Sequence, residues 1–309
     1  MNTYKPPEVN QRTVRDAVSR FLRDRSAFTQ TYVRREIRKS IRAVIDTIRD
    51  AGWDAYVVGG TIRDVVLGPR IVGPAAYYPR DIDIIVIGVT HDEIRKKFEP
   101  VYRRSTRFGG LHLVDQKPGG LKVLFDVWAL DQTWAFKVQP VAVDISSFPL
   151  MPFLNLDTAA IEIQSRPGKA RNFFENGFID AINRRTLEIN FEANPYPAIC
   201  MVRALIMAAK LQFAIGPNLL EYILRQERTT SIDRLMTAQR SHYGFDRCSA
   251  EELVLWTKAL QQVKIEGGHE GRIPVRSERQ LELWNDYPAA DPAEVQQDAG
   301  HLFGELLPA

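Results

Sequence analysis

Seven residues, Asp81 to Ile87 (DIDIIVI), narrow the folds open to this chain more than any other stretch. Within it Asp81 to Val86 reads as a strand, apolar except for two carboxylates at alternate positions. Residues two apart on a strand share a face, so Asp81 and Asp83 project together. Carboxylates in such a setting are costly unless cations meet them. Hard divalent ions such as Mg²⁺ prefer carboxylate oxygens. Two such ions about 4 Å apart clamp the attacking and leaving oxygens of a phosphoryl transfer. Taken alone, the pair reads equally as a strand end that caps backbone or meets Arg80.

Two features flank this run. Upstream, Ala55 to Val58 is a short apolar run that reads as a buried strand. It ends in Gly59-Gly60, and Thr61 through Leu67 then reads as a helix closed by Gly68-Pro69. Glycines allow close approach of backbone to a ligand, and a helix start offers N–H groups and partial positive charge to a triphosphate. Arg63 adds a candidate bidentate phosphate contact. A glycine pair before a helix is also an ordinary tight turn. Downstream, Asp126 is a lone carboxylate in the apolar strand pattern Val123 to Trp128. It reads either as a third metal-binding acid or as a solvent-facing residue on an edge strand.

Elsewhere the periodicities place helices at 11–25, 33–50, 93–98, 196–211, 219–228 and 251–263. Strands are expected at 111–114, 122–130 and 138–145, and a loosely packed tail over the last twenty residues. The loop 68–79 is rich in Gly, Pro and Tyr. The expected organisation is basic N-terminal helices (1–50), an α/β head with a mixed sheet (51–150), and a mainly helical neck and C-terminal region (151–309).

Charge is unevenly spread. Residues 1–50 carry twelve Lys/Arg against six Asp/Glu, although the whole chain is only +3. That region suits either a polyanion such as RNA or a solvated helix face. Cys200 and Cys248 have neither zinc-knuckle nor CxxC spacing, so a reducing cytoplasm is the simplest home. The N-terminus lacks the apolar core of a signal peptide, and no uncharged apolar run approaches a membrane span. Arg203 and Lys210, inside the apolar segment 196–211, either face a nucleotide cleft or snorkel to the surface. Arg166, Lys169 and Arg171 read as acceptor-phosphate contacts or as a solvated loop. His112 reads as a neighbour of the active site or as an ordinary surface histidine.

Strand–Gly-Gly–helix, then DxD, then a lone Asp on a later strand is the logic of polymerase-β-type nucleotidyltransferases. Val57 to Gly68, VVGGTIRDVVLG, resembles the head signature of class II CCA-adding enzymes and bacterial poly(A) polymerases. Pro79-Arg80-Asp81-Ile82-Asp83-Ile84 resembles the segment that follows it there. Phe108-Gly109-Gly110 sits where that family has a Phe-Gly turn, and Asp126 where the poly(A) branch has its third acid. Ile179-Asp180 and the stretch Arg203 to Phe213 resemble the opening and a helix of the family's neck. The resemblance covers roughly residues 50–225.

It implies an α/β head followed by a helical neck. It also implies a metal-dependent transfer of a nucleoside monophosphate from an NTP to an RNA 3′-end, tRNA being the expected acceptor. Asp81, Asp83 and Asp126 would be catalytic and hold Mg²⁺ or Mn²⁺. Gly59, Gly60, Arg63, Asp64 and Arg203 would bind the nucleotide. The departures are as informative. Tyr196 to Cys200 lies where the family carries its base-reading Glu-Asp-x-x-Arg set, yet holds no carboxylate or arginine. Met151-Pro152-Phe153 replaces a charged triplet, Leu130 replaces an arginine, and Asp157 stands where the family has an Asn. Loss of a hydrogen-bonding base pocket removes discrimination. The reading is therefore a divergent member, such as a toxin or defence enzyme acting on tRNA. The alternatives are nucleotidylation of a protein or small molecule, and a non-catalytic NTP sensor or assembly subunit. A protein partner supplying recognition groups fits either.

Overall fold

The computed structural model describes residues 8–23, 32–71, 79, 81–106, 110–117, 122–164, 168–276, 278–280 and 283. They fall into two compact units, Met1–Asn183 and Arg184–Ala309. Arg80, Phe108, Gly109, Arg166, His301 and the last twenty residues lie outside the described residues.

In the first unit the N-terminal apolar stripes build α1 (Gln11–Arg23) and α2 (Tyr32–Asp50). Val14 and Val18 of α1 are buried, as are Ile37, Ile41, Val44 and Ile48 of α2. Then come β1 (Asp54–Val58), α3 (Gly59–Ile71), β2 (Asp81–Ile87), α4 (His91–Lys97), β3 (Tyr102–Ser105), β4 (Leu111–Gln116) and β5 (Lys122–Ala129). The unit continues with β6 (Ala160–Glu162), β7 (Phe173–Phe174) and α5 (Phe178–Arg184). Seven strands form one sheet in the order β3-β4-β5-β2-β1-β6-β7. β2 and β5 run parallel, and the other neighbouring pairs are antiparallel. α3 packs on β1 and β2, and α4 on β4 and β5. α4 starts at a capping box: the Glu93 N–H donates to the Thr90 hydroxyl and the Thr90 N–H to the Glu93 carboxylate.

Three expectations need correction. Gly59 and Gly60 are not a turn before the helix but its first two residues, and α3 continues through Gly68-Pro69 to Ile71. Residues 138–145 form no strand. Pro140 has no N–H for a ladder. The backbone instead makes 3₁₀ turns at Trp134–Lys137 and Ile145–Leu150, the second capped by Asp144, which accepts the Ser146 N–H at 2.8 Å. Finally, the sheet does not end before residue 150. β6 and β7 lie in the stretch expected to be neck, and β6 pairs directly with β1.

The second unit contains β8 (Thr186–Leu187), α6 (Pro197–Leu211), β9 (Ala214–Ile215), α7 (Pro217–Glu227), α8 (Ile232–Tyr243) and α9 (Ala250–Ile265). α6 is buried nearly all round, the pattern of a central helix, with Arg203 as a half-buried exception. It packs on α7 and α8, which α9 covers in turn. Glu188 accepts the N–H groups of Asn218 and Leu219 and so caps α7. Among the described residues no helix is long and apolar enough to cross a membrane.

Gln239 of α8 is fully buried and acts as a clamp. Its side-chain oxygen accepts the N–H groups of Arg247 and Cys248, and its amide donates to the Cys248 carbonyl at 2.8 Å. Gln239→Ala strands three buried backbone groups and is expected to cost about 2–3 kcal/mol. Urea denaturation of the full chain checks this as a lower midpoint.

Candidate active site

The parallel register of β2 and β5 sets Asp83 directly opposite Asp126. β5 alternates strictly: Val123, Phe125, Val127 and Ala129 are buried, while Leu124, Asp126 and Trp128 are half-buried. β2 behaves alike at its start, with Ile82 buried between half-buried Asp81 and Asp83. Opposed residues on neighbouring strands project to one face, so Asp81, Asp83 and Asp126 share it.

The beginning of α3 is tied to this face. Thr61 is buried, and its hydroxyl accepts the Asp83 backbone N–H at 2.8 Å. A methyl group on Gly60 would stand 3.2 Å from the Arg63 guanidinium and 3.5 Å from the Asp83 carboxylate. The glycine therefore keeps helix backbone close to the acids. The Gly59 N–H is committed to the Ala159 carbonyl at 2.9 Å. The donors this helix start can offer a ligand are those of the following residues of its first turn. Gly59 itself has φ +57°. Gly59→Ala puts a Cβ into the left-handed region and is expected to cost about 1–2 kcal/mol, checked as a lower melting temperature.

Arg63 is buried and held by carboxylates. Its Nε donates to Asp64 at 2.7 Å and its Nη1 to Asp157 at 2.5 Å. Neither Asp64 nor Arg63 was expected in such a pair. Asp157 ends a 3₁₀ turn, Asn155–Asp157, that packs against α3. The ion pair thus joins the two segments behind the glycines. It leaves Arg63 as a local cation beside the acids, with its guanidinium engaged in structure.

Burial pushes the Asp83 carboxyl well above the ordinary range, and the negative charges of Asp81, Asp126 and Asp157 push it further, against the opposing pull of Arg63. A carboxylate crowded by carboxylates is short of positive charge. That donor set fits a hard divalent ion. Among the described residues no group of three or more His, Cys, Asp or Glu is drawn together closely enough to hold a metal ion. The fit accordingly rests on the chemistry and shared face of the three acids.

Other expected residues fall elsewhere. Arg203 and Lys210 lie in the second unit on α6, where Lys210 is buried rather than solvated. Cys200 is buried in the same unit, its thiol raised to about 12 by burial. The rest of the segment aligned with a base-reading set, Tyr196 to Ile199, is half-buried. Arg171 is neither solvated nor available to phosphate. It is buried, donating to the Glu162 and Ile163 carbonyls and to the Ser19 hydroxyl, which fastens α1 to the edge of β6. Burial lowers its pKa to about 10, with Arg23 adding to the effect. Lys169 is exposed. Part of the basic N-terminal set is structural too, since Arg15 donates to the Arg171 carbonyl and lies over Phe173. Arg12, Arg20, Arg23, Arg35, Lys39 and Arg42 are exposed. His112 is no surface residue: it is buried, and its Nδ1 lies 2.8 Å from the Asp126 carboxylate.

Thr61 is a neighbour of the acidic face that sequence reasoning did not reach, and Asp157 was marked there only as a departure from the family pattern. A hydroxyl at the third position of a Gly-Gly helix start was the available signal for Thr61.

No protein-family model matches the chain. A CCA-adding enzyme of Staphylococcus aureus is 25% identical over 219 residues, 63% of this chain and 47% of that protein. Poly(A) polymerase I of Salmonella typhi is 31% identical over 81 residues, 26% of this chain and 16% of that protein. Among solved structures, the Thermotoga maritima CCA-adding enzyme complexed with tRNA aligns at 14% identity and a TM-score of 0.46, over 85% of this chain and 66% of that one. The chain spans about half the length of the curated CCA-adding enzymes it matches. The chain is thus similar, at low identity, to CCA-adding enzymes and bacterial poly(A) polymerases.

Proposed function

We propose that this chain is a nucleotidyltransferase that moves a nucleoside monophosphate from an NTP to an RNA 3′-end, with tRNA as acceptor. One observation carries the reading: Asp83 and Asp126 stand opposite each other on parallel neighbours, with Asp81 on the same face and a Gly-Gly helix start alongside. The relatives' names, CCA-adding enzyme and poly(A) polymerase, support the reaction class.

In this reaction an RNA 3′-hydroxyl oxygen bonds to the α-phosphorus, the bond from that phosphorus to the bridging β-oxygen breaks, and pyrophosphate leaves. The hydroxyl proton passes to solvent or to a carboxylate. Asp81, Asp83 and Asp126 would hold Mg²⁺ or Mn²⁺, which when bound neutralises developing charge on the reacting oxygens. The first turn of α3 orients the triphosphate through backbone N–H groups. Thr61 keeps β2 in register with that turn. Arg63 contributes a fixed positive charge while bracing Asp157. Such catalysis is mostly positioning and charge neutralisation.

The exposed arginines and lysine of α1 and α2 are the proposed contacts to acceptor phosphates. The absence of charge at Tyr196 to Cys200, together with the burial of Cys200, supports an enzyme that selects its base differently from a housekeeping CCA-adding enzyme. A toxin or defence enzyme acting on tRNA is the biological role we favour.

The experiment incubates the purified chain with Mg²⁺ or Mn²⁺, each labelled NTP separately, and total cellular RNA. Label in RNA is the expected result, and its position identifies nucleotide and acceptor. Ordered addition of C, C and A to tRNA would remove the divergent-selection reading. Label in protein, or in none of RNA, protein and pyrophosphate, would replace RNA transfer with protein modification or nucleotide sensing.

A further inference from the structure

His112 is a buried titratable group that the proposed chemistry leaves unused, and it lies beside the acidic face. It sits on β4, and the antiparallel register of β4 and β5 sets it opposite Asp126. The next step of the ladder sets Asp126 opposite Asp83, and on the other side Arg104 of β3 stands opposite His112. One row across four strands therefore reads Arg104, His112, Asp126, Asp83. Residues aligned in this way share a face and interact with their neighbours.

The hydrogen bonding within the row has a direction. The Asp126 carboxylate can only accept, so the 2.8 Å contact requires a proton on His112 Nδ1. The other ring nitrogen, Nε2, is buried and has no hydrogen-bond partner among the described residues. Most buried side-chain polar atoms in folded proteins have a partner. Here one nitrogen is left without a partner while the other grips one oxygen of the third acid.

We infer that His112 is a positioning residue: its Nδ1–H holds Asp126 Oδ1 and so fixes the orientation of a carboxylate that, with Asp83 opposite it, would hold a divalent cation. The inference rests on the proposed metal site and deepens it. It parallels the general pattern in which groups outside the ligand shell orient the ligands, and whose removal lowers metal affinity or activity about 10–100-fold.

The test titrates the full chain with Mn²⁺, reading thermal stabilisation and enhanced water proton relaxation, for the parent, His112→Ala, His112→Phe and His112→Asn. Phe keeps the ring volume without a donor, and Asn offers an amide N–H near the position of Nδ1. Ala and Phe are expected to raise the half-saturating Mn²⁺ concentration about 10–100-fold, with Asn recovering most of the loss. Long-range ¹H–¹⁵N spectra of the parent are expected to show a protonated Nδ1. The inference falls if Phe titrates like the parent, because packing then explains the residue. It also falls if Nδ1 is bare in the spectra, a measurement that needs no variant to fold. Failure of the underlying site looks different: the parent itself then shows no Mn²⁺ response, and Asp83→Asn is indistinguishable from it.

Discussion

Asp83→Asn is expected to abolish nucleotide transfer while making the metal-free protein more stable at neutral pH. The first effect follows from the loss of a proposed ligand oxygen at the centre of the acidic face, and should reach about 10³-fold in rate. The second follows from the raised pKa of Asp83. The folded state binds this proton more tightly than the unfolded state does. Stability from the group is therefore fully present below the ordinary carboxylate pKa of about 3.9. It is lost as pH rises through the raised folded value. Above that value the charged carboxylate sits among Asp81, Asp126 and Asp157 as a full penalty. Asn keeps the shape and removes the charge, so its melting temperature should stay flat across this window while that of the parent falls. Adding Mg²⁺ or Mn²⁺ should restore the parent and leave Asp83→Asn unmoved. A melting profile for the parent that rises with pH through this window would contradict the electrostatic account of the site.

The second large effect belongs to Arg63. The side chains of Arg63, Asp64 and Asp157 are 9%, 8% and 11% exposed. Removing the cation leaves two buried acids beside a third, and breaking a buried pair in this way costs about 3–5 kcal/mol. Arg63→Ala is therefore expected to lower the melting temperature strongly even without nucleotide. Asp157→Asn retains an acceptor for the guanidinium and should cost far less. Were Arg63 chiefly a phosphate contact, its loss would weaken NTP binding and leave the melting temperature of the ligand-free chain nearly unchanged. Denaturation of the two variants, each with and without NTP, separates these roles.

What the chain reveals before folding is local. Asp81 and Asp83 were legible because the alternation of a strand is written into seven consecutive residues, and Asp126 because it interrupts a similar run. Helices with long apolar stripes, α2 and α6, were legible for the same reason. The partners of these residues were not. Thr61 reaches Asp83 and Asp157 reaches Arg63 only through contacts between separate segments, and only the register of β4 with β5 sets His112 against Asp126. No spacing in the sequence encodes such contacts. β6 and β7, of three and two residues, are too short to show a period. Residues 138–145 fail in the opposite sense, since their valines suggest a strand that Pro140 denies. Arg171 looked like a loop cation because sequence does not show that its guanidinium would satisfy the carbonyls of β6.

The lone parallel pairing in the sheet carries a kinetic consequence. β2 and β5 are separated by α4 and the β3–β4 hairpin, so their ladder closes only after that whole excursion has been accommodated. Non-local pairings of this kind form slowly, because loop-closure entropy is lost before contacts compensate. Here the closing step also forces Asp83 and Asp126 together, adding charge repulsion at the barrier. A cation held between the two carboxylates would lower that repulsion.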